Sequence, residues 1–247
     1  TLRDSFSLSQ ETRQDPSANG VADIFRLENT LGATATWDLA DLVPQLDYSR
    51  YSYVPLDDQY RYLRHEADRL TLRATAYLNP ALSAGLEIGA GQTAYLNARL
   101  SDNSHYSYGP FVRYQVSESI DVRGSFGLAQ YRFDPSAFIT NSTSQSSFYA
   151  DMVVTHQFTP RTSHSLSAGE SLSTDLNGAP IQLLYVRWAA VLSIIQHWTF
   201  RPNLSYENGQ ETRGLTPEDF TRYGAGLAVS RTLTRQLTAT LDYQRLS

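Results

Sequence analysis

The feature that most constrains this chain is a two-residue alternation of apolar and polar side chains, renewed about every 39 residues. Its cleanest stretch is 68–78. There Leu70, Leu72, Ala74, Ala76 and Leu78 take one face, and Arg69, Thr71, Arg73, Thr75 and Tyr77 take the other. A period of two belongs to a half-buried β-strand, whereas a helix repeats its apolar positions every three to four residues. Asn79-Pro80-Ala81 then supplies turn chemistry. The return run sets Leu82, Ala84, Leu86, Ile88 and Ala90 against Ser83, Gly85, Glu87, Gly89 and Gly91. A turn centred on residue 80 puts Leu72 opposite Ile88 and Arg73 opposite Glu87. Both faces agree with that register, which a one-residue slip would invert.

The unit recurs along the chain. Turn centres fall near residues 40, 79, 118, 160, 197 and 235, so the spacings are about 39, 39, 42, 37 and 38. Longer polar connections alternate with them, at roughly 12–20, 55–59, 97–107, 134–146, 175–180 and 208–219. With a first strand at 2–10 the pattern predicts about 13 antiparallel strands in an all-β, up-and-down meander. No linker or composition shift divides residues 1–247, so one domain is expected.

Composition removes several function classes. There is no cysteine, which excludes disulfide frameworks, thiolate metal sites and thiol nucleophiles together. The net charge of −5 comes from 25 acids against 20 basic residues, all of them arginine, and no basic block marks a nucleic-acid binder. No run of 18 apolar residues exists, which excludes a membrane-spanning helix. The chain starts at Thr1 and its one methionine is Met152, so it is expected to be a mature protein or a fragment.

A thirteen-strand next-neighbour meander has few soluble solutions. Small closed barrels use about eight strands, because that width lets side chains fill the interior. A wider barrel has a wet lumen, so its apolar face must point outward, where water would make it an aggregation surface. In lipid the same arrangement is stable, since closure pairs every backbone group. The inner-face runs Ser83, Gly85, Gly89, Gly91 and Ser165, Ser167, Gly169, Ser171 suit a wet interior and could not build a packed core. Trp37, Tyr77, Tyr108, Trp198, Tyr206, Tyr223 and Tyr243, toward strand ends, are read as an aromatic girdle.

In its short turns, longer loops and alternating strands the chain resembles bacterial outer-membrane β-barrels, most nearly the porin-like ones, some of which accompany exopolysaccharide secretion. The resemblance implies a transmembrane β-barrel in the bacterial outer membrane, in contact with the lipid bilayer and lipopolysaccharide and inserted by the barrel-assembly machinery. Two departures stand out. Such barrels have an even strand number, and they commonly end on an aromatic residue, whereas this chain ends Arg245-Leu246-Ser247. Truncation of a 14–18-stranded barrel is the expected reason.

By parity the lumen face carries Arg69, Arg73, Arg113, Arg123, Arg187, Arg201 and Arg222 with Glu87, Asp121, Asp151, Glu207 and Asp242. Arg73 and Glu87 face each other. So do Arg187 and Glu207, if the hairpin centres on His197, and Arg113 meets Arg123 with Asp121 nearby. Such a ladder either sets a transverse field that favours anionic solutes or simply rigidifies a polar wall. The loops lean acidic, with Asp15, Asp57, Asp58, Asp102, Asp134, Asp175, Glu211, Glu218 and Asp219 against Arg13, Arg99 and Arg213.

No enzyme signature emerges, and no catalytic residue or cofactor is expected. His164 and Ser165 are adjacent strand residues and point to opposite faces. Asp57-Asp58 is a bare acid pair, His65, His105, His156, His164 and His197 lack metal-ligand spacing, and the glycines of 85–91 lie in a strand with no helix after them. The expected function is a passive channel for polar solutes or an export pore. The alternatives are an anchoring barrel with a plugged lumen, a hydrolase with acids at its rim, and a soluble all-β domain.

Overall fold

The computed structural model describes residues 1–12, 23–97, 99–136, 142–174, 180–193, 195–211, 219–233 and 238–246. They form β1 (Leu2–Thr12), β2 (Asp23–Thr36), β3 (Leu42–Pro55), β4 (His65–Asn79), β5 (Leu82–Tyr95), β6 (Asn103–Ser117) and β7 (Ile120–Phe133). These continue into β8 (Thr143–Thr159), β9 (Thr162–Thr174), β10 (Pro180–Leu192), β11 (Trp198–Glu211), β12 (Asp219–Thr232) and β13 (Thr238–Leu246). One antiparallel sheet runs in the order β1 to β13, each strand paired with its chain neighbours. The expected all-β meander is what the chain folds into. Among the described residues β1 and β13 do not pair, so the sheet is open.

Side chains close several of the short turns. Asn79 Oδ1 accepts the backbone N–H groups of Ala81 at 2.9 Å and Leu82 at 2.8 Å. Ser117 Oγ accepts those of Ser119 at 3.3 Å and Ile120 at 3.1 Å, and Thr159 Oγ1 accepts that of Arg161 at 3.2 Å. This local bonding competes with extended structure and so stops the strand at a fixed residue. Ala40 and His197 make their turns with positive φ, 60° and 67°.

The two faces differ as the alternation requires. Among described strand residues, the exposed large apolar side chains lie on the face of Leu72, Ile88, Val112 and Phe126, with Tyr77 and Val191 as the exceptions. Burial concentrates on the other face, where Tyr53, Phe111 and Phe133 are almost fully covered. Contacts there jump over a strand. Glu87 on β5 reaches Arg123 on β7 at 3.8 Å, across β6, and Tyr185 on β10 donates to Asp151 on β8, across Gly169. Side chains on a flat sheet diverge too much for this, so the face is concave. Gly169 removes the side chain that would stand between Tyr185 and Asp151.

Three sequence expectations are corrected. The β10–β11 hairpin centres one residue earlier than His197, so Arg187 faces Ser205 and Tyr185 faces Glu207. Tyr77 sits on the concave side and lines a cavity there, so it is no part of an outward girdle. The connection after β3 contains a 3-10 helix, Asp58–Leu63, whose Leu63 packs with Ile24 and Tyr53. Those two share the concave face of the charged rows, so this loop folds inward at the long-loop end of the sheet. Asp15, Asp175, Glu218, Arg13 and Arg213 lie outside the described residues.

Candidate functional site

Hydrogen-bonded pairing sets all twelve predicted charged residues on the concave face. The densest group spans β4 to β7. Arg73 Nε donates to Glu87 at 2.8 Å, in the predicted cross-strand pair, and Arg123 approaches the same carboxylate. Phe111 lies between the two arginines, whose guanidinium carbons stand 5.6 and 5.7 Å from its ring centre. Arg113 and Arg123 do face each other, and Arg113 turns aside to Asp121 at 2.8 Å. That carboxylate relieves the like-charge contact. A cavity of about 530 Å³ opens beside this group, lined by Gln45, Arg73, Phe111, Arg113, Asp121 and Arg123 among others. Three guanidinium groups against two carboxylates leave it net positive.

The second group spans β8 to β12. Arg187 and Glu207 meet at 2.7 Å although they are diagonal, because long side chains on one face reach two positions along. The Arg187 guanidinium also lies 4.7 Å from the Tyr185 ring centre, and Asp151 accepts the Tyr185 hydroxyl. Arg222 faces Glu207 and covers the Phe220 ring at 4.5 Å, while Arg201 donates to Ser230 at 3.1 Å. Arg69 and Asp242 have no ion-pair partner among the described residues.

Sequence reasoning missed the aromatic residues that fix these charges. A Cβ at Gly85 would sit 2.6 Å from Phe111, and one at Gly127 or Gly109 would sit 2.7 Å from the Tyr149 hydroxyl. Tyr185 and Phe220 press on Gly169 and Gly209 in the same manner. A ring laid across a facing glycine shields backbone that would otherwise be bare, and it buries apolar area on an otherwise polar wall. The signal was present as glycine opposite aromatic in each hairpin, but reading it requires the right register. At the long-loop end His105, Tyr131 and Phe133 stack in series, with ring centres 5.2 and 6.1 Å apart. Among the described residues no cluster of three or more His, Asp or Glu could hold a metal ion.

No protein-family model matches the chain, and no curated protein matches it in sequence. Solved structures do match. The FrpB iron transporter from Neisseria meningitidis (F5-1 variant) superposes with a TM-score of 0.58 at 9% identity, covering 99% of this chain and 49% of its own. The copper transporter OprC gives 0.54 at 12% identity over 90% and 46%. CdiB from Escherichia coli gives 0.54 at 14% identity over 89% and 53%. The chain therefore spans about half the length of these proteins. Its fold is that of outer-membrane β-barrel proteins. The fold together with the apolar convex face places the chain in the bacterial outer membrane.

Proposed function

We propose that the chain forms part of the wall of an outer-membrane channel for polar solutes, with a preference for anions, and has no enzymatic role. The observation that carries this reading is the concave β4–β7 group, Arg73, Arg113 and Arg123 against Glu87 and Asp121, beside an open cavity. Fixed positive charge on a curved wall raises the local anion concentration and lowers the barrier to anion entry. Three neighbours are named as an iron transporter, a copper transporter and a ferric-catecholate import receptor, which supports solute passage in general. The test is reconstitution of the full-length protein in planar bilayers under a salt gradient. Stepwise conductance with a reversal potential on the anion side is expected; absence of any conductance contradicts the channel.

A second reading is a barrel with an occluded lumen that anchors partners. The inward-folded 3-10 helix and the packing of its Leu63 with Ile24, Tyr53 and Leu100 favour it. The same recording separates the two, since an occluded barrel conducts only after residues 56–64 are shortened.

A further inference from the structure

On the convex face a linked polar group lies close to a short turn. His156 on β8 and His164 on β9 face each other four residues from their turn, and Trp188 on β10 lies diagonal to His164. Trp188 Nε1 donates to His164 Nδ1 at 3.3 Å. His164 Nδ1 is therefore unprotonated, its Nε2 carries the hydrogen, and it donates to His156 Nδ1, also at 3.3 Å. The same logic puts the remaining hydrogen on His156 Nε2, which has no partner among the described residues. The chain of three rings thus ends in a free donor on the convex face.

Its surroundings are equally one-sided. Arg161 stands in the β8–β9 turn and meets no carboxylate among the described residues, and Arg231, farther along the same rim, lies 5.1 Å from the Trp198 ring centre. No acidic residue occurs at the turn ends of β8 to β12 among the described residues, whereas those of β2 to β7 carry Asp38, Asp41 and Glu118. Beside the histidines Phe158 stacks on His164 at 4.9 Å and is exposed, with Leu166 next in line on the same face. Four residues of a tilted strand place the histidines roughly 10 Å above the turn, at the lower edge of an apolar band about 25 Å tall.

We infer that His156, His164, Trp188 and Arg161 form a site for the phosphodiester of an anionic phospholipid in the periplasmic leaflet. The donor-ended ring chain and the unpaired guanidinium supply hydrogen bonds and positive charge to the phosphate, while Leu166 and Val154, on the bilayer side of the histidines, receive the acyl chains. The inference stands apart from the channel reading, because His156, His164 and Trp188 lie on the convex face, opposite the charged wall.

Native mass spectrometry of the full-length protein, released from bilayers of mixed phosphatidylglycerol and phosphatidylcholine, tests it. Wild-type protein is expected to retain phosphatidylglycerol, and His156→Phe to lose retention roughly tenfold, the loss of one charge-assisted hydrogen bond. His156→Asn, which keeps a side-chain N–H, restores most of it, and Arg161→Gln removes the preference for phosphatidylglycerol. Circular dichroism confirms that each variant is folded, and unchanged conductance shows that the lumen is intact. Equal retention by wild type and His156→Phe overturns the site. So does full displacement by inorganic phosphate in detergent, which would show a general anion site.

Discussion

The concave walls of β4–β7 and of β8–β12 follow the same alternation and end as different surfaces. In the first, charge is meshed around Glu87: Arg73 and Glu87 are about one-quarter to one-third exposed and share Phe111 and Arg123 with their neighbours, while Arg113 toward the turn stays open. In the second the wall is thin. Ser163, Ser165 and Ser167 on β9 are small, and Arg187 stays half exposed beside Glu207. Alternation decides which face a residue joins; the size of its neighbours decides whether its charge is held in the wall or offered to what passes.

The largest effect that would break this contrast lies at the glycines. Gly127→Val would force a side chain against Tyr149 and the Tyr108 carbonyl, and is expected to cost about 1–3 kcal/mol or prevent assembly. Gly124→Ala meets nothing nearer than 3.9 Å and is expected to change stability by no more than about 0.5 kcal/mol. Denaturant titration in detergent or lipid measures both. Next comes Glu87→Gln, which leaves two arginines sharing one lost partner. It is expected to lower stability by about 1 kcal/mol after allowance for solvent screening, and to move the reversal potential further toward anions.

Arg187→Ala should do the reverse, weakening anion preference while costing no more than about 1 kcal/mol, because its pair is screened by water. If its stability loss exceeds that of Glu87→Gln, the distinction between meshed and thin walls fails. The smallest effect is expected at Arg50→Ala. Its ion pair with Glu66 lies on the convex face at the long-loop end and is exposed, so the unfolding midpoint and the conductance should both stay unchanged.

Which strands exist, and which face each residue takes, was legible because period two is unambiguous over ten or more residues. The β4–β5 register was legible too, since Asn79 closes a short turn at a defined place. The β10–β11 register was misread by two residues, across the longer connection 193–197 with its positive-φ His197. A slip of two returns every side chain to its own face, so the alternation cannot reveal it. That is also why Arg187 and Glu207 still meet. The Tyr185–Asp151 bond and the shared Glu87 could not be read, because both need the curvature that brings alternate strands together. The inward 3-10 helix was hidden within a polar connection, with Tyr60, Tyr62 and Leu63 as its only apolar signal. His156 opposite His164 was readable from the β8–β9 turn alone, but without the Trp188 donor it carried no meaning.

The central claim is that consecutive residues of one strand face lipid and water by turns. With no native cysteine, each introduced cysteine is a single probe. Single cysteines at residues 69 to 76 of β4 in the full-length protein in lipid vesicles should react with a charged, membrane-impermeant thiol reagent in strict alternation. Positions 69, 71, 73 and 75 are expected to react, and 70, 72, 74 and 76 to be protected. Uniform reactivity along the strand, or the opposite phase, would contradict the account.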